Sequence, residues 1–92
     1  MMVRVKMFAT LQDISRTGEV NLEADTVMSV LEKLVTRFEK LKPEIFEDYR
    51  QRQLKDKIKV MVNGTNIDYL AGLGTKLNEG DRVAVFPVLA GG

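Results

Sequence analysis

Apolar side chains recur along this chain with two spacings, every second residue and every third or fourth. Val3, Val5 and Met7 alternate with Arg4, Lys6 and Phe8, the pattern of a strand with one buried face. After a polar, mixed stretch over 10–17, Gly18 opens a second short strand in which Val20 and Leu22 alternate with Glu19, Asn21 and Glu23. Together they predict a β-hairpin with a long loop, with which a single helical turn over 11–15 is compatible.

The period then changes. Val27, Val30, Leu31, Leu34, Val35, Phe38 and Leu41 fall three and four apart and form one helical stripe, wide enough to cover a sheet. Thr26 or Asp25 is placed to cap it by accepting a hydrogen bond from a first-turn amide. Pro43 biases Lys42 away from the helical region, so the helix is expected to end near Lys40 or Leu41. Residues 42–57 carry nine charges of both signs, read as a solvated face, around Ile45, Phe46, Tyr49 and Leu54. They predict a short exposed helix over 44–52, anchored by Ile45, Phe46 and Tyr49.

Alternation returns in Ile58, Val60 and Val62 against Lys59 and Met61, followed by Asn63-Gly64, a pair that tolerates positive φ in a turn. Residues 66–68 are expected as a brief edge strand, 72–81 as an irregular connection with Leu77 inward, and 82–86 as the last strand, with Val83 and Val85 on one face. The order strand, strand, helix, then two or three strands predicts a single α+β domain over 1–92. The β-grasp fold is the common solution: a mixed sheet of four to five strands, first and last side by side in its centre, with one main helix on one face.

If the valines face the helix, Phe8, Met61, Ala84 and Phe86 must face away. Arg4, Lys6, Lys57, Lys59 and Arg82 share their parity, so the far face is expected to be an apolar patch in a basic border, a pattern suited to docking a protein. The alternative is that Phe8 or Phe86 sits at a strand end and folds back into the core.

Composition narrows the chemistry. The chain has no Cys and no His, which removes thiolate nucleophiles, imidazole bases and the usual zinc and copper ligands, so no metal site is expected. Fourteen basic and 13 acidic residues leave a formal charge of +1, without the global field of a nucleic-acid binder. No apolar run approaches a membrane span or signal core, so the expected setting is the cytoplasm, with neither nucleic acid nor membrane as partner.

What remains is the ending, Phe86-Pro87-Val88-Leu89-Ala90-Gly91-Gly92. Residues 87–92 are expected as a flexible tail that reaches about 20 Å when extended. Lacking a Cβ, Gly91 and Gly92 can thread a slot closed to any side chain. An α-carboxylate on Gly92 is ionised at neutral pH and is able to attack the α-phosphate of ATP, giving an acyl-adenylate open to sulfur or an amine. The alternative is a frayed terminus without a role.

Gly80-Asp81-Arg82-Val83-Ala84-Val85-Phe86-Pro87, followed by Ala90-Gly91-Gly92, resembles the ending of the MoaD/ThiS family of ubiquitin-like sulfur carriers, and of the molybdopterin synthase small subunit in particular. Val3-x-Val5-x-x-Phe8-Ala9-x-Leu11 is similar to that family's first strand, Thr26-Val27 to its helix start and Val62-Asn63-Gly64 to the turn after its third strand. The resemblance implies a β-grasp carrier with no active site or bound cofactor of its own. It implies that Gly92 is adenylated by an E1-like enzyme using ATP and converted to a thiocarboxylate that donates sulfur. The partner so implied is the large subunit of a molybdopterin synthase-type complex, with the sulfur donated in molybdenum or tungsten cofactor biosynthesis. Phe8, Met61, Phe86 and Pro87 would form the partner-binding surface, with Ala90 and Gly91 entering the partner. The alternative is a ubiquitin-like modifier joined to lysines of target proteins through the same diglycine.

Overall fold

A computed structural model of the chain describes residues 1–88. The elements run β1 (Met2–Met7), α1 (Ala9–Ser15), β2 (Glu19–Glu23), α2 (Val27–Arg37), α3 (Lys42–Ile45), β3 (Phe46–Asp48), β4 (Gln53–Leu54), β5 (Ile58–Val62), β6 (Thr65–Asn66) and β7 (Arg82–Pro87). Five strands form one mixed sheet in the order β2-β1-β7-β5-β6, and β3 and β4 form a separate pair. The first and last strands lie parallel at the centre, Val5 beside Val83 and Met7 beside Val85. This is the β-grasp architecture, with α2 packed on one face.

Val3, Val5, Met7, Val20, Leu22, Ile58, Val60, Val62, Val83 and Val85 are buried beneath Val27, Val30, Leu31, Leu34 and Val35 of α2, as the alternation requires. Met28 joins them, which the stripe alone did not mark. Thr26 caps α2: its hydroxyl accepts from the Ser29 amide at 3.1 Å while the Ser29 hydroxyl accepts from the Thr26 amide at 3.1 Å. This reciprocal pair satisfies two amides at the helix entrance.

Four expectations need correction. First, α2 ends at Arg37, not near Lys40, because Phe38 leaves the helical region at φ −125°, ψ 83°. In the last turn the Thr36 hydroxyl donates to the Glu32 carbonyl at 2.8 Å, competing for that acceptor and loosening the turn. Leu41 still reaches the core, carried by a 3-10 turn over Glu39–Leu41. Second, Pro43 starts a helix instead of stopping one. It stands in the first turn of α3, where the missing N–H has no helical partner to lose.

Third, the helix expected over 44–52 is replaced by a hairpin after Ile45. Phe46 turns extended at φ −105°, ψ 132°, the Asp48 carboxylate accepts from the Gln51 amide at 3.1 Å, and the Lys55 amide donates back to the Ile45 carbonyl at 2.9 Å. Ile45 and Phe46 are nonetheless buried, and the Tyr49 ring meets Phe46 edge-on at 5.0 Å, so the expected anchors hold a different element. Fourth, the edge strand stops at Asn66, whose side chain accepts from the Asp68 amide at 2.8 Å and starts a 3-10 turn over Ile67–Tyr69.

The long first loop contains α1, longer than the single turn compatible with the sequence, and Leu11 is its fully buried residue. At the opposite end of the sheet, Asn63 and Gly64 take positive φ, 50° and 87°. The Asn63 side chain ties that turn to β7, donating to the Asp81 carboxylate at 2.9 Å and accepting from the Arg82 amide at 2.9 Å. Among the described residues no helix is long and apolar enough to cross a membrane.

Candidate functional site

The sheet face turned away from α2 is a small lattice whose rows follow the strand register. Arg4 lies beside Arg82 in the first row; in the second, Lys6 is beside Ala84, Ala84 beside Met61 and Met61 beside Asn66. In the third, Phe86 lies beside Lys59. Phe8, one residue past β1, completes that row: its ring meets Phe86 edge to face, with centroids 6.2 Å apart and planes at 87°. That is a favourable geometry for two aromatic quadrupoles. Phe8 is 44% exposed and Met61, Ala84 and Phe86 are half-buried, so neither phenylalanine returns to the core.

Phe8 is held there by the backbone after it. Phe8 itself is extended, φ −129°, ψ 160°, and Ala9 then takes φ 53°, turning the chain from β1 into α1 within one residue. A non-glycine residue in that region is under steric strain. Its effect is to let Phe8 keep the parity of β1 while Leu11 dives beneath the sheet. Nothing in the composition signals that Ala9 would be strained.

The border of the patch is not uniformly basic. Strand β2 lays Glu19, Asn21 and Glu23 on the same face, with Glu19 in register with Lys6. The Glu19 carboxylate accepts from Arg4 Nε at 2.8 Å. The face is therefore acidic along β2 and basic along β1, β7 and β5. Alternation marked Glu19 as outward; only the strand register could place it beside Arg4 and Lys6.

Pro87 belongs to the sheet as the last residue of β7, in register with Ile58. The next amide, Val88, still donates to the Lys57 carbonyl at 2.7 Å. The sheet therefore continues past residue 87, where the tail was expected to begin, and hands the chain on immediately beside Phe86 and Phe8. Ala90, Gly91 and Gly92 lie outside the described residues. Of the expected surface residues, Phe8 and Phe86 meet at the exit point of β7, Met61 lies on the same face one row back beside Ala84, and Pro87, in register with the buried Ile58, alternates to the other face.

A profile of the ThiS family matches residues 5–92 of the chain. A small archaeal modifier protein 3 of Haloferax volcanii is 32% identical over 95 residues, covering all of both chains. A protein of Archaeoglobus fulgidus named as a candidate sulfur carrier is 28% identical over 94 residues, again covering all of both chains. The solution structure of small archaeal modifier protein 1 from Methanosarcina acetivorans superposes with a TM-score of 0.89 at 35% identity, over 99% of this chain and 96% of that one.

Proposed function

The chain belongs to the ThiS family, and from that premise we propose that its working group is the α-carboxylate of Gly92, activated by an E1-like adenylating enzyme that docks on Phe8, Met61 and Phe86. In this reading a carboxylate oxygen attacks the α-phosphate of ATP and pyrophosphate leaves. The acceptor then attacks the acyl carbon of the resulting acyl-adenylate, and AMP leaves. ATP is bound by the activating enzyme, and this chain supplies the carboxylate, the slender Ala90-Gly91-Gly92 approach and the docking face. The observation that carries the reading is a diglycine, inside the family match, placed just after a strand that delivers the chain beside the outward-facing pair of Phe8 and Phe86.

The acceptor decides between two uses of the same adenylate. Attachment to lysine amines of target proteins comes first, because relatives at 32% and 35% identity over nearly the whole chain bear the name of protein modifiers. A lysine amine then displaces AMP and forms an isopeptide bond with Gly92. Sulfur transfer is the second reading, favoured by the family match and by the Archaeoglobus relative. There hydrosulfide displaces AMP to give the thiocarboxylate, whose sulfur passes to a substrate held by a partner such as the large subunit of a molybdopterin synthase-type complex, water cleaving the acyl–sulfur bond and restoring the carboxylate. The test is mass spectrometry on native extract. Peptides carrying a branched Val83-to-Gly92 remnant on lysine establish conjugation, and a C-terminal peptide with one oxygen replaced by sulfur establishes the carrier role. Finding only the unmodified carboxylate, under conditions where the activating enzyme is present, contradicts both.

A further inference from the structure

The far face has a hollow towards the Asn63-Gly64 turn as well as an aromatic pair at its other end. Ala84 is the middle residue of the lattice, with Lys6 and Met61 on either side across the strands and Arg82 and Phe86 before and after it on the same face. A methyl group surrounded by long side chains leaves a depression, about 290 Å³, lined by Lys6, Met61, Asn63, Gly64, Arg82 and Ala84. Its floor is apolar and its flanks carry two cations.

Those cations are available. The nearest carboxylate in the register is Glu19, opposite Lys6, and it is engaged by Arg4 at 2.8 Å. Asp81, next in sequence to Arg82, is taken up by the Asn63 side chain at 2.9 Å and the Asn78 amide at 2.8 Å. Among the described residues neither Lys6 nor Arg82 forms an ion pair, and Lys59 adds a third cation in the neighbouring row. Opposite charge around a pocket favours an acidic partner surface, governs the rate of encounter and disfavours the wrong register. The acidic strip along β2 sharpens that choice, since a partner rotated by half a turn on this face would set its carboxylates against Glu19 and Glu23.

We propose that the depression over Ala84 seats one apolar side chain from an acidic segment of the activating enzyme, with Lys6 and Arg82 pairing to the carboxylates around it. This rests on the docking reading above and adds to it the chemistry of the partner and the orientation in which it binds.

The test measures binding of the full chain to its cognate activating enzyme, by titration calorimetry, for three variants whose thermal transitions are first checked against the parent. Ala84→Leu fills the hollow from an exposed face and is expected to weaken binding about tenfold or more, as loss of a hot-spot pocket does. The double variant Lys6→Glu, Arg82→Glu is expected to weaken binding about tenfold at low ionic strength, the difference shrinking towards unity at about 1 M salt, where the Debye length is only about 3 Å. Phe8→Ala probes the parent reading. If Phe8→Ala weakens binding while Ala84→Leu does not, the hollow is not a seat and that half of the inference is overturned. If the charge reversal has no effect or tightens binding, the partner is not acidic there. If none of the three variants changes affinity, the docking reading itself falls along with the inference.

Discussion

At the scale of single residues, the two faces of β1 ask different things of their side chains. Leu31 of α2, fully buried in the same core as Val5, belongs to the packing. Leu31→Ala is expected to cost about 2 to 5 kcal/mol, the cavity adding to the lost transfer energy. Its neighbour Glu32, off the buried stripe, should change stability by no more than about 0.5 kcal/mol when replaced by Ala. Chemical denaturation of both variants checks the helix register, and equal midpoints would contradict it. Phe8 is the opposite case: 44% exposed, it loses little on truncation, and Phe8→Ala is expected to cost about 1 kcal/mol or less while impairing partner binding. Ala9, at φ 53°, carries strain that glycine would relieve. A left-handed alanine costs about 1 to 2 kcal/mol and a glycine about 0.5 to 1 kcal/mol in chain entropy. Ala9→Gly should thus be neutral or stabilising by up to about 1 kcal/mol in thermal unfolding, and a clear loss would mean that its methyl group packs. The parity of Phe8, Met61 and Phe86 was legible in the sequence. Ala9's conformation and the Arg4–Glu19 pair were not, because one depends on how β1 meets α1 and the other on register.

Elements were read well where burial and local chemistry agree. The stripe from Val27 to Val35 and the Thr26 cap both specify α2, and Thr26→Ala is expected to lower stability by about 0.5 to 2 kcal/mol. Thr26→Ser, which keeps the hydroxyl, should restore most of it in the same unfolding measurement. Reading failed between Phe38 and Leu54, for a physical reason. Phe38 and Leu41 continue the helical spacing, so the pattern cannot register that Phe38 leaves the helix and that Leu41 is delivered by a tighter turn. Pro43 carries two meanings, a stop for the preceding helix and a good first-turn residue for the next, and tertiary packing of Ile45 chose the second. In 46–54 the apolar residues are too few to define a period. The hairpin is fixed by the Asp48 turn and the bond from Lys55 to Ile45, which no periodicity encodes.

For the whole molecule, the parallel pairing of β1 with β7 decides where the chain leaves the sheet. Because the two central strands run the same way, Phe8 at the end of one and Phe86 at the end of the other meet at one edge, and the chain passes on through Pro87 and Val88 beside them. A partner held on that patch is within reach of a carboxylate a few residues further on, about 3.3 to 3.6 Å per extended residue. In the function we propose, this carboxylate, on Gly92, is the reacting group. The most direct test is pyrophosphate release on incubation with ATP and the cognate activating enzyme, comparing the parent chain with one lacking Gly92 and one extended by a single residue after it. Release is expected from the parent, with a fall on the order of a hundredfold or more in both variants, whose reactive carbon is displaced by far more than the 1 Å that suffices for such a loss. Their unfolding midpoints should be unchanged. Full adenylation of either the shortened or the extended chain would rule out this role for the Gly92 carboxylate.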